Sequence, residues 1–145
     1  MNESMLLKQY LTELVIGDAT NREGHAAKVY FNALFGMDFS RSAEIPVNAA
    51  LNYGYSILLS AFNREIVANG YFTQLGICHN NMFNQFNLSS DLMEPFRILV
   101  DRYVYFMKSD KFTSEEKQKL INLLNDEVII DAKRNYVNNA KKIYC

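Results

Sequence analysis

The stretch from Pro46 to Gly70, PVNAALNYGYSILLSAFNREIVANG, predicts the longest helix of the chain. Proline suits the first turn of a helix, where its missing N–H has no partner to lose, and Asn69 followed by glycine is a typical stop. Apolar residues recur along the stretch at helical spacing, at Leu51, Tyr55, Leu58, Leu59, Phe62 and Ile66. We therefore expect an all-α fold, a helical bundle around this long central helix, with no substantial sheet.

Working outward, the same periodicity predicts further helices over 4–16, 20–35, 90–108, 113–124 and 132–143. Their expected N-caps are Ser4, Thr20, Ser89 or Ser90, and Thr113, while Gly36 is expected to end the second helix. Pro95 lies within the early turns of the 90–108 helix and is expected to kink it. The residues after His79 predict a short polar helical segment, and residues 128–130 predict an extended hook.

Length and composition favour one intracellular domain over residues 1–145. The chain carries 15 basic and 16 acidic residues, so its total charge does not indicate a free-standing DNA binder, which needs phosphate neutralisation. The two cysteines lie far apart, and no basic, apolar leader precedes them, so an intracellular, cytoplasmic location is expected. Apolar runs are shorter than the roughly 20 residues that a membrane span requires, so no membrane association is expected.

Several reaction classes lack their sequence motifs. The chain has no GxxxxGK[ST] loop, no GxGxxG after a strand, no cysteine pairs at zinc spacing and no HExxH. A Cys-His nucleophile at Cys78 and His79 is disfavoured, because adjacent side chains rarely point at one another. A nucleotide-driven or dinucleotide-dependent enzyme is therefore not expected.

Ionisable residues enter the apolar pattern between Leu75 and Arg97. One of only two histidines, His79, precedes a helix on which Asp91 and Glu94 are three residues apart and share a face. An ordinary solvated stripe of charges would show the same spacing. The proline directly after Glu94 makes this face less ordinary, and chemistry is expected here.

Glu23 has two interpretations. Thr20 and Glu23 have the spacing of a capping box, in which the carboxylate only stabilises a helix start. Alternatively, the small residues beside it leave the carboxylate accessible to a second element or a substrate. His25 lies about 200° further round the helix, so we do not expect it to share a ligand site with Glu23. If Glu23 meets His79 and Glu94, one imidazole and two carboxylates suit Mg²⁺ or Mn²⁺.

Four motifs in order resemble those of a known family. They are NREGHAAKVYF at 21–31, NAALNYGY at 48–55, LGICH at 75–79 and DLMEPFR at 91–97. Together they resemble the CRISPR-associated integrase family, the Cas1 proteins, in its type II form. The resemblance covers nearly the whole chain but only the helical C-terminal domain of that family, so we expect a single helical catalytic domain without the family's amino-terminal β domain.

The resemblance implies roles for individual residues. Glu23, His79 and Glu94 fall on the family's metal ligands, for Mg²⁺ or Mn²⁺. Asp91 falls on an auxiliary acid, and Cys78 stands where relatives often have another histidine. The arginines that we take as candidate phosphate contacts are Arg22, Arg41, Arg64 and Arg97.

The implied function is metal-dependent DNA integration in CRISPR adaptation, in which the 3′-hydroxyl of a spacer attacks a phosphodiester of the CRISPR repeat. The implied partners are double-stranded DNA, the Cas2 protein and, in the full-length family, a second copy of the chain. The alternative from the residues alone is a non-catalytic helical interaction module, whose acids are only caps and surface charges.

Overall fold

The computed structural model describes residues 3–13, 21–130, 133–137 and 139. The elements in chain order are α1 (Glu3–Glu13), α2 (Arg22–Phe35), α3 (Pro46–Ala68), α4 (Asn87–Met93), α5 (Arg97–Met107), α6 (Ser114–Asn122), β1 (Glu127–Ile130) and β2 (Lys133–Tyr136). They belong to two compact units, Met1–Glu44 and Ile45–Cys145. The expectation of a single domain over 1–145 stays a prediction.

The central helix α3 is confirmed at both ends. Pro46 occupies its first turn, and the N–H of Asn69 donates to the carbonyl of Glu65 at its end. It packs against α4, α5 and α6 of the same unit. All the predicted core positions on α3 are buried except Leu59, which is half-buried. The expected all-α class without substantial sheet is therefore confirmed, and the only sheet among the described residues is the two-stranded hairpin of β1 and β2.

Close packing of α3 on α5 depends on a glycine. A Cβ placed on Gly54 would lie 2.4 Å from Cγ1 of Val100, a fully buried residue of α5. Atoms cannot approach that closely, so the two helix backbones sit nearer to each other than a side chain at position 54 would allow. The ring of Phe62 on α3 also contacts that of Phe96, with centroids 5.0 Å apart.

The kink predicted at Pro95 is confirmed as a turn of 3₁₀ helix over Glu94–Phe96, which separates α4 from α5. The N-cap predicted at Ser89 or Ser90 is wrong. Helix α4 begins at Asn87, with Ser89 inside it, and the Ser89 hydroxyl donates to Oδ1 of Asn63 at 3.0 Å in the core. The residues between His79 and Asn87 form turns, so the polar helix expected there is also wrong.

The end of the C-terminal unit is partly extended. The predicted capping box of α6 is confirmed, because Thr113 and Glu116 bind each other's backbone at the helix start. The helix predicted over 132–143 is wrong for Lys133–Tyr136, which forms β2 and pairs antiparallel with β1. The remainder of that range, apart from residues 137 and 139, lies outside the described residues. The expected extended segment at 128–130 is confirmed within β1.

In the N-terminal unit α1 packs against α2. Rings of α2 and the following loop form a cluster, with the centroids of Phe35 and Phe39 4.9 Å apart. Gly36 ends α2 as predicted, with φ at 104°. Ser4 lies inside α1 rather than at its N-cap, so that prediction is wrong. The predicted end of this helix near Ile16 lies outside the described residues.

None of the described helices is long and apolar enough to cross a membrane.

Candidate functional site

A single carboxylate holds the loop that carries His79. Oδ2 of Asp91 accepts the backbone N–H groups of Ile77 at 2.5 Å and Cys78 at 3.0 Å, and Oδ1 accepts that of His79 at 3.1 Å. Ring atom Nδ1 of His79 lies 2.5 Å from the same Oδ1. Asp91 therefore fixes both the path of the loop and the orientation of the imidazole.

The ionised form of Asp91 is favoured. Burial raises the pKa of this carboxyl, but the hydrogen bonds from the His79 ring and from the three backbone N–H groups outweigh it and hold the pKa below its usual value. The Asp91 side chain is only 6% exposed, whereas that of His79 is 47% exposed. The charge is thus buried under the loop, and the imidazole faces outward.

The contact with Asp91 sets the tautomer of His79. A carboxylate only accepts, so the proton of the neutral ring lies on Nδ1, and Nε2 keeps its lone pair. Nε2 has no hydrogen bond to any described residue. Histidines that bind metals commonly show this arrangement, with one ring N–H donated to a carboxylate and the other nitrogen free for the metal.

Gly76 makes the tight loop possible. A Cβ at this position would lie 2.2 Å from the carbonyl oxygen of His79 and 2.9 Å from Oδ2 of Asp91. Only glycine fits between them, which gives a physical reason for the glycine of the LGICH motif.

Two polar side chains that the sequence did not single out brace the preceding segment. The buried Asn87 amide donates to the carbonyls of Gln74 at 3.0 Å and Asn81 at 2.9 Å. Thr73, also buried, donates its hydroxyl to the carbonyl of Gln85 at 2.7 Å. The long turn region is therefore tied to the start of α4. No sequence signal distinguishes these residues from the other Asn and Thr of a polar stretch.

Glu94 is held by an arginine. Nη1 of Arg97 donates to both carboxylate oxygens, at 2.7 Å and 3.0 Å, and both side chains are about 40% exposed. The guanidinium lies over the ring of Tyr55, 4.5 Å from its centroid. The Tyr55 hydroxyl in turn donates to Asp101, a buried carboxylate of α5. The sequence predicted Tyr55 only as a core residue, although a buried tyrosine hydroxyl normally needs a hydrogen-bond partner.

Glu23 lies in the N-terminal unit. It is the second residue of α2 and is exposed. The N-cap is Asn21, in the left-handed region with φ at 52°, so Glu23 does not hold the third helical position that the predicted capping box requires. The cavity beside it, about 380 Å³, is lined by residues of α1 and α2. His25 contacts Tyr10 of α1 with ring centroids 6.2 Å apart, as expected for a packing histidine.

The four candidate phosphate-binding arginines differ in their surroundings. Arg22 forms an ion pair with Glu13 at 3.0 Å, and Arg41 lies 5.4 Å from the centroid of the Phe31 ring. Arg64 is exposed on α3 and has no ion pair with a described residue. Arg97 already neutralises Glu94.

The family model described as CRISPR associated protein Cas1 matches residues 5–132. This chain belongs to the Cas1 family. The CRISPR-associated endonuclease Cas1 of Neisseria meningitidis serogroup C (strain 8013) is 38% identical over 130 residues, covering 86% of this chain and 43% of that protein. A Cas1 endonuclease of Francisella tularensis subsp. novicida (strain U112) is 29% identical over 140 residues, covering 88% of this chain and 44% of that protein. The chain thus spans less than half the length of these Cas1 relatives.

The solved structure of a casposase bound to integration product has a TM-score of 0.69 to this chain at 23% identity. The match covers 86% of this chain and 46% of the casposase, and it shows a shared fold. The family resemblance of the four motifs is confirmed by the Cas1 match. The assignment of individual site residues stays a prediction.

Within the C-terminal unit, the structure brings His79 to Asp91 and Glu94 to Arg97. Among the described residues of this unit, no three His, Cys, Asp and Glu side chains are grouped closely enough to hold a metal ion. Glu23 belongs to the other unit, so its meeting with His79 and Glu94, which the Cas1 resemblance implies, stays a prediction.

Proposed function

We propose that this chain supplies the helical catalytic part of a metal-dependent DNA integrase of CRISPR adaptation. In this reaction the 3′-hydroxyl of a spacer attacks a phosphodiester of the repeat, and one backbone bond replaces another. The observation that carries the proposal is the set of hydrogen bonds that Asp91 accepts from the His79 loop and ring. They leave Nε2 of His79 as an oriented, outward-facing ligand. Cas1 membership and the names of the endonuclease relatives give it support.

The donor set fits a divalent metal. His79 offers an imidazole nitrogen with its second nitrogen held by a carboxylate, and Glu94 and Glu23 would add carboxylate oxygens. A bound Mg²⁺ or Mn²⁺ would supply positive charge at the scissile phosphate and lower the pKa of the attacking hydroxyl. Other roles belong to the chain itself: Asp91 orients His79, and exposed Arg64 is available to a phosphate.

Partners follow from the same proposal. The chain has a formal net charge of −1, so its own charge does not attract DNA. Stable contact with a spacer and a repeat would therefore need local arginines, a second copy or Cas2, each of which we propose on the family resemblance.

The test compares single substitutions in this protein. His79→Ala, Glu94→Ala and Glu23→Ala should each abolish Mn²⁺-dependent nicking and strand transfer while leaving the circular dichroism spectrum intact. His25→Ala is the matched control, because it removes the other histidine from an exposed helix position, and it should keep activity. Wild-type activity in the His79 or Glu94 variant would refute the assignment.

An interaction module is the second candidate. The segment around His79 exposes large apolar side chains, with Met82 and Phe83 88% and 87% exposed. Surfaces of this kind commonly mark contacts with other proteins. Mn²⁺ titration calorimetry separates the two candidates, because the module predicts no binding event that His79→Ala removes.

A further inference from the structure

We propose that Arg97 is a resident counter-ion of Glu94, which a divalent metal must displace, and that the displaced guanidinium then becomes a phosphate contact. The inference rests on the proposed function and adds a residue that controls metal affinity. It begins from the fork in which one Arg97 nitrogen donates to both oxygens of Glu94.

The fork uses the atoms that a metal would need. A carboxylate binds Mg²⁺ or Mn²⁺ through its two oxygens, and Arg97 occupies one of the two lone pairs on each oxygen of Glu94. Arginine stays protonated under all ordinary conditions, so its positive charge cannot be removed by losing a proton. A cation approaching Glu94 therefore meets a hydrogen bond on each oxygen and a like charge.

The arrangement is also suited to release. The pair is about 40% exposed on each side, and exposed ion pairs contribute little to stability. Nε of Arg97 is buried without a hydrogen-bond partner among the described residues, so this geometry leaves part of the guanidinium unsatisfied. Breaking the pair thus gives up only a weak interaction.

The Tyr55 ring keeps the released arginine close to the site. Its face lies 4.5 Å from the guanidinium carbon, and cations are attracted to such a face independently of Glu94. The Tyr55 hydroxyl is bound to buried Asp101, which fixes the ring. Arg97 can therefore leave Glu94 and remain above Tyr55 with its donors directed to an anion such as a phosphate.

Mn²⁺ affinity of the full chain tests the proposal, measured by calorimetry at low salt. Mn²⁺ carries two charges, so a unit charge about 4 Å away in water changes its binding constant about 30-fold, and Arg97→Gln should bind Mn²⁺ about 30-fold more tightly than wild type. The gain should shrink at high salt, where charges are screened. Arg97→Lys, which keeps the charge, should stay closer to wild type.

Arg102→Gln is the matched control, because it removes the same charge from an exposed position of α5 that has no contact with Glu94. It should leave Mn²⁺ affinity unchanged. Nuclear magnetic resonance gives a second readout: the Nε–H signal of Arg97, identified by its absence in Arg97→Lys, should shift when diamagnetic Mg²⁺ is added to wild type.

The outcomes separate this inference from the function on which it rests. If His79→Ala abolishes Mn²⁺ binding but Arg97→Gln binds no more tightly than wild type, the counter-ion proposal is overturned and the metal site stands. If wild type binds no Mn²⁺, or His79→Ala binds it unchanged, the proposed function fails and this inference fails with it.

Discussion

Asp91→Asn should weaken Mn²⁺ binding, because Asp91 orients the imidazole of His79. In the wild type, Asp91 accepts four hydrogen bonds, two on each oxygen. An asparagine can keep its oxygen toward Ile77 and Cys78, but its amide N–H₂ group then faces the backbone N–H of His79 and the ring. Two hydrogen bonds to a charged acceptor are lost, at about 1.5 to 3 kcal/mol each.

Part of that loss is recovered. The loop is exposed, so water can reach the freed backbone N–H of His79, and we expect the free energy of unfolding to fall by about 2 to 4 kcal/mol. The ring responds differently, because the new amide donates to Nδ1 and the proton moves to Nε2. The nitrogen that should bind metal then carries a proton, and Mn²⁺ affinity should fall about 10- to 100-fold.

Three measurements check this prediction. Urea unfolding gives the stability change, calorimetry gives the Mn²⁺ affinity, and ¹⁵N chemical shifts of the imidazole report which nitrogen carries the proton. Asp110→Asn is the control, since it neutralises an exposed carboxylate elsewhere in the same unit. Retention of the Nδ1–H tautomer together with Mn²⁺ affinity within threefold of wild type would refute the reasoning.

Two further predictions concern the fold. Gly54→Ala drives a methyl group into Val100, so the free energy of unfolding should fall by about 1 to 3 kcal/mol, measured by thermal unfolding. An unchanged Tm would mean that α3 and α5 do not pack this closely. Hydrogen bonds from the Thr113 hydroxyl and backbone N–H lower the pKa of Glu116 to about 2, so this carboxylate stabilises the fold fully above about pH 4.5 and loses that effect as the pH falls toward 2. Urea unfolding of Glu116→Gln should therefore differ from wild type most near pH 6 and least near pH 2, and a pH-independent difference would contradict the pairing.

Local signals predicted the helices that contain their own start and stop. Pro46 and the Asn69-Gly70 pair bound α3 in the sequence itself, and the Thr113 capping box lies within four residues. The strand over Lys133–Tyr136 gave no such signal. Its hydrogen bonds come from β1, and the N–H of Val137 donates to the carbonyl of Asp126, a contact that helical periodicity cannot reveal.

The sequence predicted which residues belong to the candidate site, but not which of them contact each other. The family motifs named His79, Asp91 and Glu94, yet spacing alone did not show that Asp91 would use both oxygens on the loop of His79. Arg97 was assigned to phosphate, although its separation of three from Glu94 equally allowed the ion pair that the structure shows. Partners across a loop depend on the path of the backbone, and here a glycine at position 76 sets that path.

The 3₁₀ turn at Glu94–Phe96 has a consequence for spacing in the chain. A 3₁₀ helix has three residues per turn, so side chains three apart lie directly above one another, whereas in an α-helix they are offset by about 60°. Pro95 thus acts as a spacer that aligns Glu94 with Arg97. An insertion or deletion of one residue between them would separate acid from base by about a third of a turn, so the distance between these two residues is as much a part of the site as their chemistry.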